Sequence, residues 1–246
     1  MVDIDYSKYL KHFNKLGKNK ENIVVINNFI SDEDLITINE YLNKYKDDDE
    51  FMGGKDLREQ QVKEEATEVY ELLVKYEQKI YDEAYNHFTV KNGIPIKRVA
   101  INETHFVKWV PGMDSKLHAD CEKPDGTPAL GANFFAYNVS VLMYPNDSYV
   151  GGEIAFPDYD VVIKPKPGDM VMFPGNSSYR HTVQLLEEGI RYTMPSWYTF
   201  DVDTEYSTAP HTYEDSVQLW PFREGNEPVG DKTREAYLSA KSKMEG

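Results

Sequence analysis

His118-Ala119-Asp120 sets an imidazole and a carboxylate at positions i and i+2. On an extended strand those two side chains project to one face, so a single ion can meet both. A third ligand is needed, and His181 stands 61 residues beyond Asp120, just before the apolar-alternating run Thr182 to Leu185. Two imidazoles and one carboxylate on one side of an octahedral ion leave three positions open. That arrangement suits iron(II) binding a co-substrate and dioxygen. The triplet alone is a weak signal, because it arises often by chance and a lone histidine is usually a surface residue.

The elements around these residues fall into two halves. Ile23 to Ile26 reads as a short buried strand after a polar start, and Ser31 opens a helix as N-cap ahead of Asp32, Glu33 and Asp34. Leu35, Ile38, Leu42 and Tyr45 keep helical spacing, and from about Leu57 to Phe88 the apolar positions recur at steps of three and four, predicting one long amphipathic helix. Beyond Gly93-Ile94-Pro95 the period shifts toward two. Strands are predicted near 96–110, 116–120, 134–144, 153–156, 159–164, 169–173, 182–186 and 190–200, with turns at Pro111-Gly112, Asp125-Gly126, Gly151-Gly152 and Pro167-Gly168. Many short strands at such intervals predict a sandwich or barrel. From about Asp201 the chain loses apolar periodicity and reads as an irregular tail, with a terminal helix expected around Lys232 to Lys243.

An ordered framework surrounds the triplet. Trp109, Pro111 and Gly112 precede it, and Gly151-Gly152-Glu153-Ile154-Ala155-Phe156-Pro157, Pro165-Lys166-Pro167-Gly168-Asp169, Phe173 and Arg191-Tyr192 to Trp197 follow. From about Trp109 to Phe200 this order resembles the catalytic core of the prolyl 4-hydroxylase-like branch of the iron(II)- and 2-oxoglutarate-dependent oxygenases, closest to the hypoxia-sensing prolyl hydroxylases and their microbial and viral relatives. The similarity extends over roughly the first 200 residues. It is thin before residue 96, unrecognisable over 47–95 and without a counterpart after Asp201.

The resemblance implies an α+β protein with a mainly β core, a double-stranded β-helix or jelly roll with N-terminal supporting helices. Residues 1–95 would supply the strand and helices of that same domain, 96–200 the catalytic core and 201–246 a C-terminal extension. It implies iron(II) held by His118, Asp120 and His181, with 2-oxoglutarate as co-substrate, dioxygen as oxidant and ascorbate as a reductant. Arg191 would pair bidentately with the distal carboxylate of 2-oxoglutarate, which a guanidinium fork suits better than an ammonium. Tyr144 would add a phenol to the same carboxylate. Thr193 and Trp197, two and six residues past Arg191, share its strand face, and for each of them core packing and ligand contact are balanced readings. Trp109 stands where family members often have a tyrosine, keeping the apolar wall but offering only an N–H donor.

The implied reaction is hydroxylation of a C–H bond with succinate and carbon dioxide as co-products, and peptidyl proline giving 4-hydroxyproline is the leading target. The alternatives are a non-proline residue or a small metabolite under the same chemistry, or a non-catalytic jelly-roll binding module. A net charge of -15, from 27 basic and 42 acidic residues, argues against nucleic acid and anionic membrane and favours a basic or neutral protein or peptide partner. No apolar run reaches the roughly 18 residues of a membrane span. The single cysteine, Cys121, excludes an internal disulfide; with no signal-like leader, a cytoplasmic setting is expected. Cys121 itself reads as a buried, inert thiol. His12, His87, His105 and His211 lack a partner at ligand spacing, His105 being the one nearest the site, and Asp114 and Asp125 read as turn residues. Residues 121–133, rich in turn formers, suit either a lid or a solvent loop.

Overall fold

In the computed structural model the described residues are 6–47, 59–98, 105–123 and 137–202. Helices come first: α1 (Tyr6–Leu16), α2 (Asp32–Leu42), α3 (Glu59–Glu65) and α4 (Thr67–Ala84), the last running into a π-helical turn, Tyr85–Lys91. The helix α1 was not expected from its lysine-rich sequence, yet Tyr9, Leu10, Phe13 and Leu16 line up on one face and are buried. In α2 the Ser31 hydroxyl accepts from the Asp34 amide, as its capping role predicts, and Leu35, Ile38, Tyr41 and Leu42 face inward. The helix predicted over 57–88 is instead α3 and α4, divided at Ala66, whose backbone (φ -153°, ψ 81°) is not helical. Val62 before the break and Val69, Leu73, Tyr76 and Ile80 after it enter the same core, so the apolar spacing carries across and conceals the break.

Eleven strands are present among the described residues. The larger sheet runs in the order β1 (Val24–Ile26), β8 (Met170–Pro174), β4 (Val139–Met143), β11 (Arg191–Phe200) and β2 (Ile96–Arg98), with β3 (Val107–Trp109) also paired to β11, all antiparallel. A smaller sheet orders β7 (Val161–Ile163), β6 (Ile154–Phe156) and β9 (Thr182–Val183), and β5 (Tyr149–Gly151) pairs with β10 (Leu186–Gly189).

Alternation along the strands produces three layers. From β11, Tyr192, Met194, Tyr198 and Phe200 join Val139, Val141, Met143, Met170 and Met172 in one core shared with the helices. On the other side of the sheet, Tyr144, Val171 and Phe173 pack with Ile154 and Phe156 of the smaller sheet. Arg191, Thr193 and Trp197 fall on this second face. Helices therefore back one surface of the larger sheet and the smaller sheet covers the other, the expected double-stranded β-helix.

Four expectations change. β1 is an edge strand with Val25 39% exposed, not a buried one. The stretch 96–110 carries two separate strands, β2 and β3. The strand expected over 116–120 is reduced to a single bridge, His118 with His181. β5 and β10 were not foreseen as a pair, and the run 182–186 breaks at Gln184, whose amide turns to the Glu153 carbonyl. Beyond Val202 the extension, with His211 and the expected terminal helix, lies outside the described residues, as do Asp125 and most of the 121–133 loop. Among the described residues no helix is long and apolar enough to cross a membrane.

Candidate active site

Backbone pairing brings the two distant ligand segments together. The His118 amide donates to the His181 carbonyl at 3.0 Å and the His181 amide returns to the His118 carbonyl at 2.8 Å. On either side of this bridge, Ser115 N donates to Val183 O and Cys121 N to Gly175 O, so the stretch 115–121 follows 175–183. Gly175 has a steric reason to be glycine: a Cβ there would meet the Tyr137 carbonyl oxygen at 1.9 Å.

With the backbones so locked, the side chains converge. His118 Nε2 lies 3.3 Å from Asp120 Oδ1 and His181 Nε2 lies 3.6 Å from the same oxygen. The candidate ligand atoms of all three residues fall within 4.8 Å of one another. His118 Nδ1 is 2.7 Å from the Lys116 carbonyl, and His181 Nδ1 is 3.4 Å from that of Tyr179. Carbonyls only accept, so both rings carry their proton on Nδ1 and turn an Nε2 lone pair toward Asp120. The Ser140 hydroxyl donates to Asp120 Oδ2, occupying one carboxylate oxygen and leaving Oδ1 to the histidines. Phe173 and Phe156 wall the His181 ring, with centroids 4.6 and 5.7 Å away.

The electrostatics follow from this crowding. Burial raises the Asp120 pKa, but the two imidazoles and the Ser140 hydroxyl outweigh it and hold the carboxyl at about 2. For His118 burial pulls down while Asp120 pulls harder upward, giving a net rise; for the more deeply buried His181 desolvation prevails and its pKa falls. An anionic oxygen between two imidazoles, one of them kept neutral by burial, is a donor set that fits iron(II).

A second cluster lies on the same sheet face. Arg191 is 1% exposed, and its Nε and both terminal nitrogens make no hydrogen bond among the described residues. Its guanidinium sits 5.1 Å from the Trp109 ring, its cross-strand neighbour, and 5.3 Å from that of Tyr144. Gly152 makes room for it, since a Cβ at this residue (φ +68°) would stand 3.0 Å from Arg191 Cδ. A buried cation among rings, with its donors unsatisfied, fits a carboxylate such as the distal group of 2-oxoglutarate.

Of the remaining predicted site residues, Thr193 accepts from Trp109 Nε1 at 3.3 Å, so these two hold each other beside Arg191. Trp197 stacks on Tyr137 at 4.5 Å and lies 6.0 Å from the buried His105 ring, whereas the Arg191 guanidinium lies over the rings of Trp109 and Tyr144. Trp197 thus belongs to an aromatic group next to the carboxylate cluster. Cys121 is buried and its thiol pKa is pushed well up by desolvation, matching the inert reading. His12 packs on Phe200 and His87 hydrogen-bonds Asn22; Asp114 is exposed. Sequence reasoning missed Ser140, whose hydroxyl holds Asp120, and the strand β5 with its buried Tyr149. The alternation of Ser140 with Val139 and Val141 offered a face but no partner, and β5, which carries Tyr149, was itself unforeseen.

Residues 104–199 match the family model described as 2OG-Fe(II) oxygenase superfamily. Human prolyl 3-hydroxylase 2 is 36% identical over 67 residues, a quarter of this chain (25%) but only 10% of that protein, so the matched segment spans about a tenth of the curated relative. Among solved structures, the viral collagen prolyl hydroxylase of Paramecium bursaria Chlorella virus-1 is similar with a TM-score of 0.50 at 17% identity, over 73% of this chain and 96% of that one. A Trichoplax adhaerens prolyl hydroxylase in complex with a hypoxia inducible factor peptide fragment gives 0.52 at 18%, over 78% and 90%. A Pseudomonas putida prolyl-4-hydroxylase gives 0.50 at 17%, over 73% and 93%. At such identities these structures speak for the shared fold alone, and the match to the 2OG-Fe(II) oxygenase superfamily model is confined to residues 104–199.

Proposed function

We propose that the chain is an iron(II)- and 2-oxoglutarate-dependent dioxygenase that hydroxylates a C–H bond, with proline in a peptide as the target. The observation that carries this reading is the pairing, on one sheet face, of the His118, Asp120 and His181 cluster with the buried Arg191 guanidinium. One is a donor set suited to a metal cation; the other is a donor set suited to a carboxylate. Tyr144, beside Arg191, and Phe173, beside His181, belong to one buried cluster.

In this reading His118, Asp120 and His181 hold the iron, and Ser140 fixes the carboxylate so that Oδ1 is the ligand oxygen. Arg191 and the Tyr144 phenol hold the distal carboxylate of 2-oxoglutarate, with Trp109 and Tyr144 excluding water around it. Bound together, iron, 2-oxoglutarate and dioxygen supply the oxidising chemistry and release succinate and carbon dioxide. The protein contributes position and dryness. A peptidyl proline is supported by the prolyl hydroxylases among its structural relatives, one of them holding a peptide, and a net charge of -15 favours a neutral or basic segment. Hydroxylation at C4 follows the Pseudomonas putida relative, whereas the human relative is named for C3.

The test is succinate formation by the purified chain with iron(II), ascorbate, dioxygen and 2-oxoglutarate, with and without proline-containing peptides, and His181→Ala as control. Turnover lost in the variant, with hydroxyproline located by fragmentation, is the expected result. Turnover stimulated by a small metabolite and not by peptides would replace the substrate half of the proposal. Absence of both iron and 2-oxoglutarate binding would overturn it in favour of a binding module.

A further inference from the structure

Two buried phenols, not one, stand beside the Arg191 guanidinium. Tyr144 follows directly on β4, and Tyr149 opens β5 five residues later. Tyr149 is 6% exposed, and neither phenol oxygen has a hydrogen-bond partner in good geometry among the described residues. Burial raises the pKa of both phenols, and Arg191, close enough to act on each through its charge and its N–H groups, lowers it in part; the net shift is upward, so both are protonated at neutral pH. Strand pairing holds the Tyr149 backbone: its Cα faces Gly189 across the β5–β10 pair, and its amide donates to the Asp147 carbonyl at 2.7 Å. A position that only needed an apolar ring would be served by phenylalanine. Buried hydroxyls without partners are rare in native proteins, and here two accompany an unsatisfied guanidinium.

A carboxylate offers about four lone-pair sites on its two oxygens. The guanidinium fork can fill two of them and two phenol O–H groups can fill the others. We propose that Tyr149 is a ligand-binding residue, donating with Tyr144 and Arg191 to the distal carboxylate. The inference rests on the function proposed above and adds a residue to its carboxylate site. A monocarboxylate of the same length would leave every one of these donors buried and unmatched.

The experiment is calorimetric titration of the full chain, loaded with manganese(II) under nitrogen so that no turnover intervenes, with 2-oxoglutarate and with 2-oxopentanoate, which lacks the distal carboxylate. In Tyr149→Phe, 2-oxoglutarate binding should weaken about tenfold, as expected for one hydrogen bond to a charged acceptor, while 2-oxopentanoate binding stays as in the wild type. Unchanged 2-oxoglutarate binding in the variant would overturn the inference. Equal weakening of both acids would also overturn it, since a ring that merely shapes the site affects both. A wild-type protein that binds manganese and neither acid would remove the proposed function, and this inference with it, whereas the other two failures leave that function standing.

Discussion

Arg191→Met should make the ligand-free protein more stable and the ligand-bound protein less so. In the folded chain the guanidinium is 1% exposed and its nitrogens make no hydrogen bond among the described residues. Leaving such a charge uncompensated is costly, and replacing buried ionic groups by apolar ones of similar volume commonly stabilises by about 1–4 kcal/mol. The contacts with the Trp109 and Tyr144 rings return part of that, about 0.5–1 kcal/mol each where partly screened. Taking about 1–2 kcal/mol for the two rings from the middle of that range leaves methionine a net gain of about 1 kcal/mol, which in a chain of this size raises the melting temperature by roughly 2–4 °C. With manganese(II) present throughout and 2-oxoglutarate at a hundred times its wild-type Kd, the acid should add about 2.7 kcal/mol to the wild type and far less to the variant, which overtakes a lead of about 1 kcal/mol and reverses the order of the two melting curves. Differential scanning fluorimetry with and without the acid reads both. A ligand-free Arg191→Met that melts below the wild type would refute the reasoning, because the guanidinium would then have satisfied partners within the fold.

Three other expectations have direct assays. Ser140→Ala frees Asp120 Oδ2 and should weaken iron(II) binding about tenfold in competition with a chelator, with Ser140→Thr restoring it; equal affinity in all three would detach the hydroxyl from the metal site. Gly152→Ala puts a methyl 3.0 Å from Arg191 Cδ at a left-handed backbone, so it should cost about 1–2 kcal/mol of stability and raise the 2-oxoglutarate requirement; a shift in stability alone would uncouple Gly152 from the carboxylate site. Burial pushes the Asp34 pKa up, but Lys75 at 2.6 Å and the Tyr76 hydroxyl at 2.5 Å bring it below its ordinary 3.8. A depressed carboxylate stabilises above its unfolded pKa and ceases to as pH falls through the folded value. Asp34→Asn should therefore destabilise by about 1–2 kcal/mol near pH 7, and the gap to wild type should close below pH 3.8; a constant gap would count against the linkage.

The sequence exposed those parts of the site that depend on local spacing. His118 and Asp120 two residues apart, and Arg191, Thr193 and Trp197 at even steps along one strand, share a face by pleat geometry, which holds whatever the rest of the chain does. Even so, the expected strand under His118 is one bridge, because its pairing with His181 is set by contacts on both sides that no local pattern encodes. Ser140 meets Asp120 across sheet register, and Tyr149 reaches Arg191 by way of the β5–β10 pair. Both are products of non-local pairing, where a serine or a tyrosine looks like any other strand residue. The helices show the opposite failure. Apolar spacing is so regular across Ala66 that a break is invisible, whereas in α1 the intervening lysines masked a stripe that the folded chain buries.

The two-sidedness of β11 has a consequence for how this protein tolerates change. Even-numbered residues Tyr192, Met194, Tyr198 and Phe200 are sunk in the helix-backed core, and odd-numbered Arg191, Thr193 and Trp197 lie on the ligand side. Damage should alternate in kind along ten residues of chain: a lesion at one position diminishes the amount of folded protein, and a lesion at the next spares the amount and silences it. A saturation library scored separately for abundance and for 2-oxoglutarate capture would show two interleaved combs with a period of two. Deleting one residue inside the strand would shift every tooth of one comb onto the other, and no single compensating substitution could restore both.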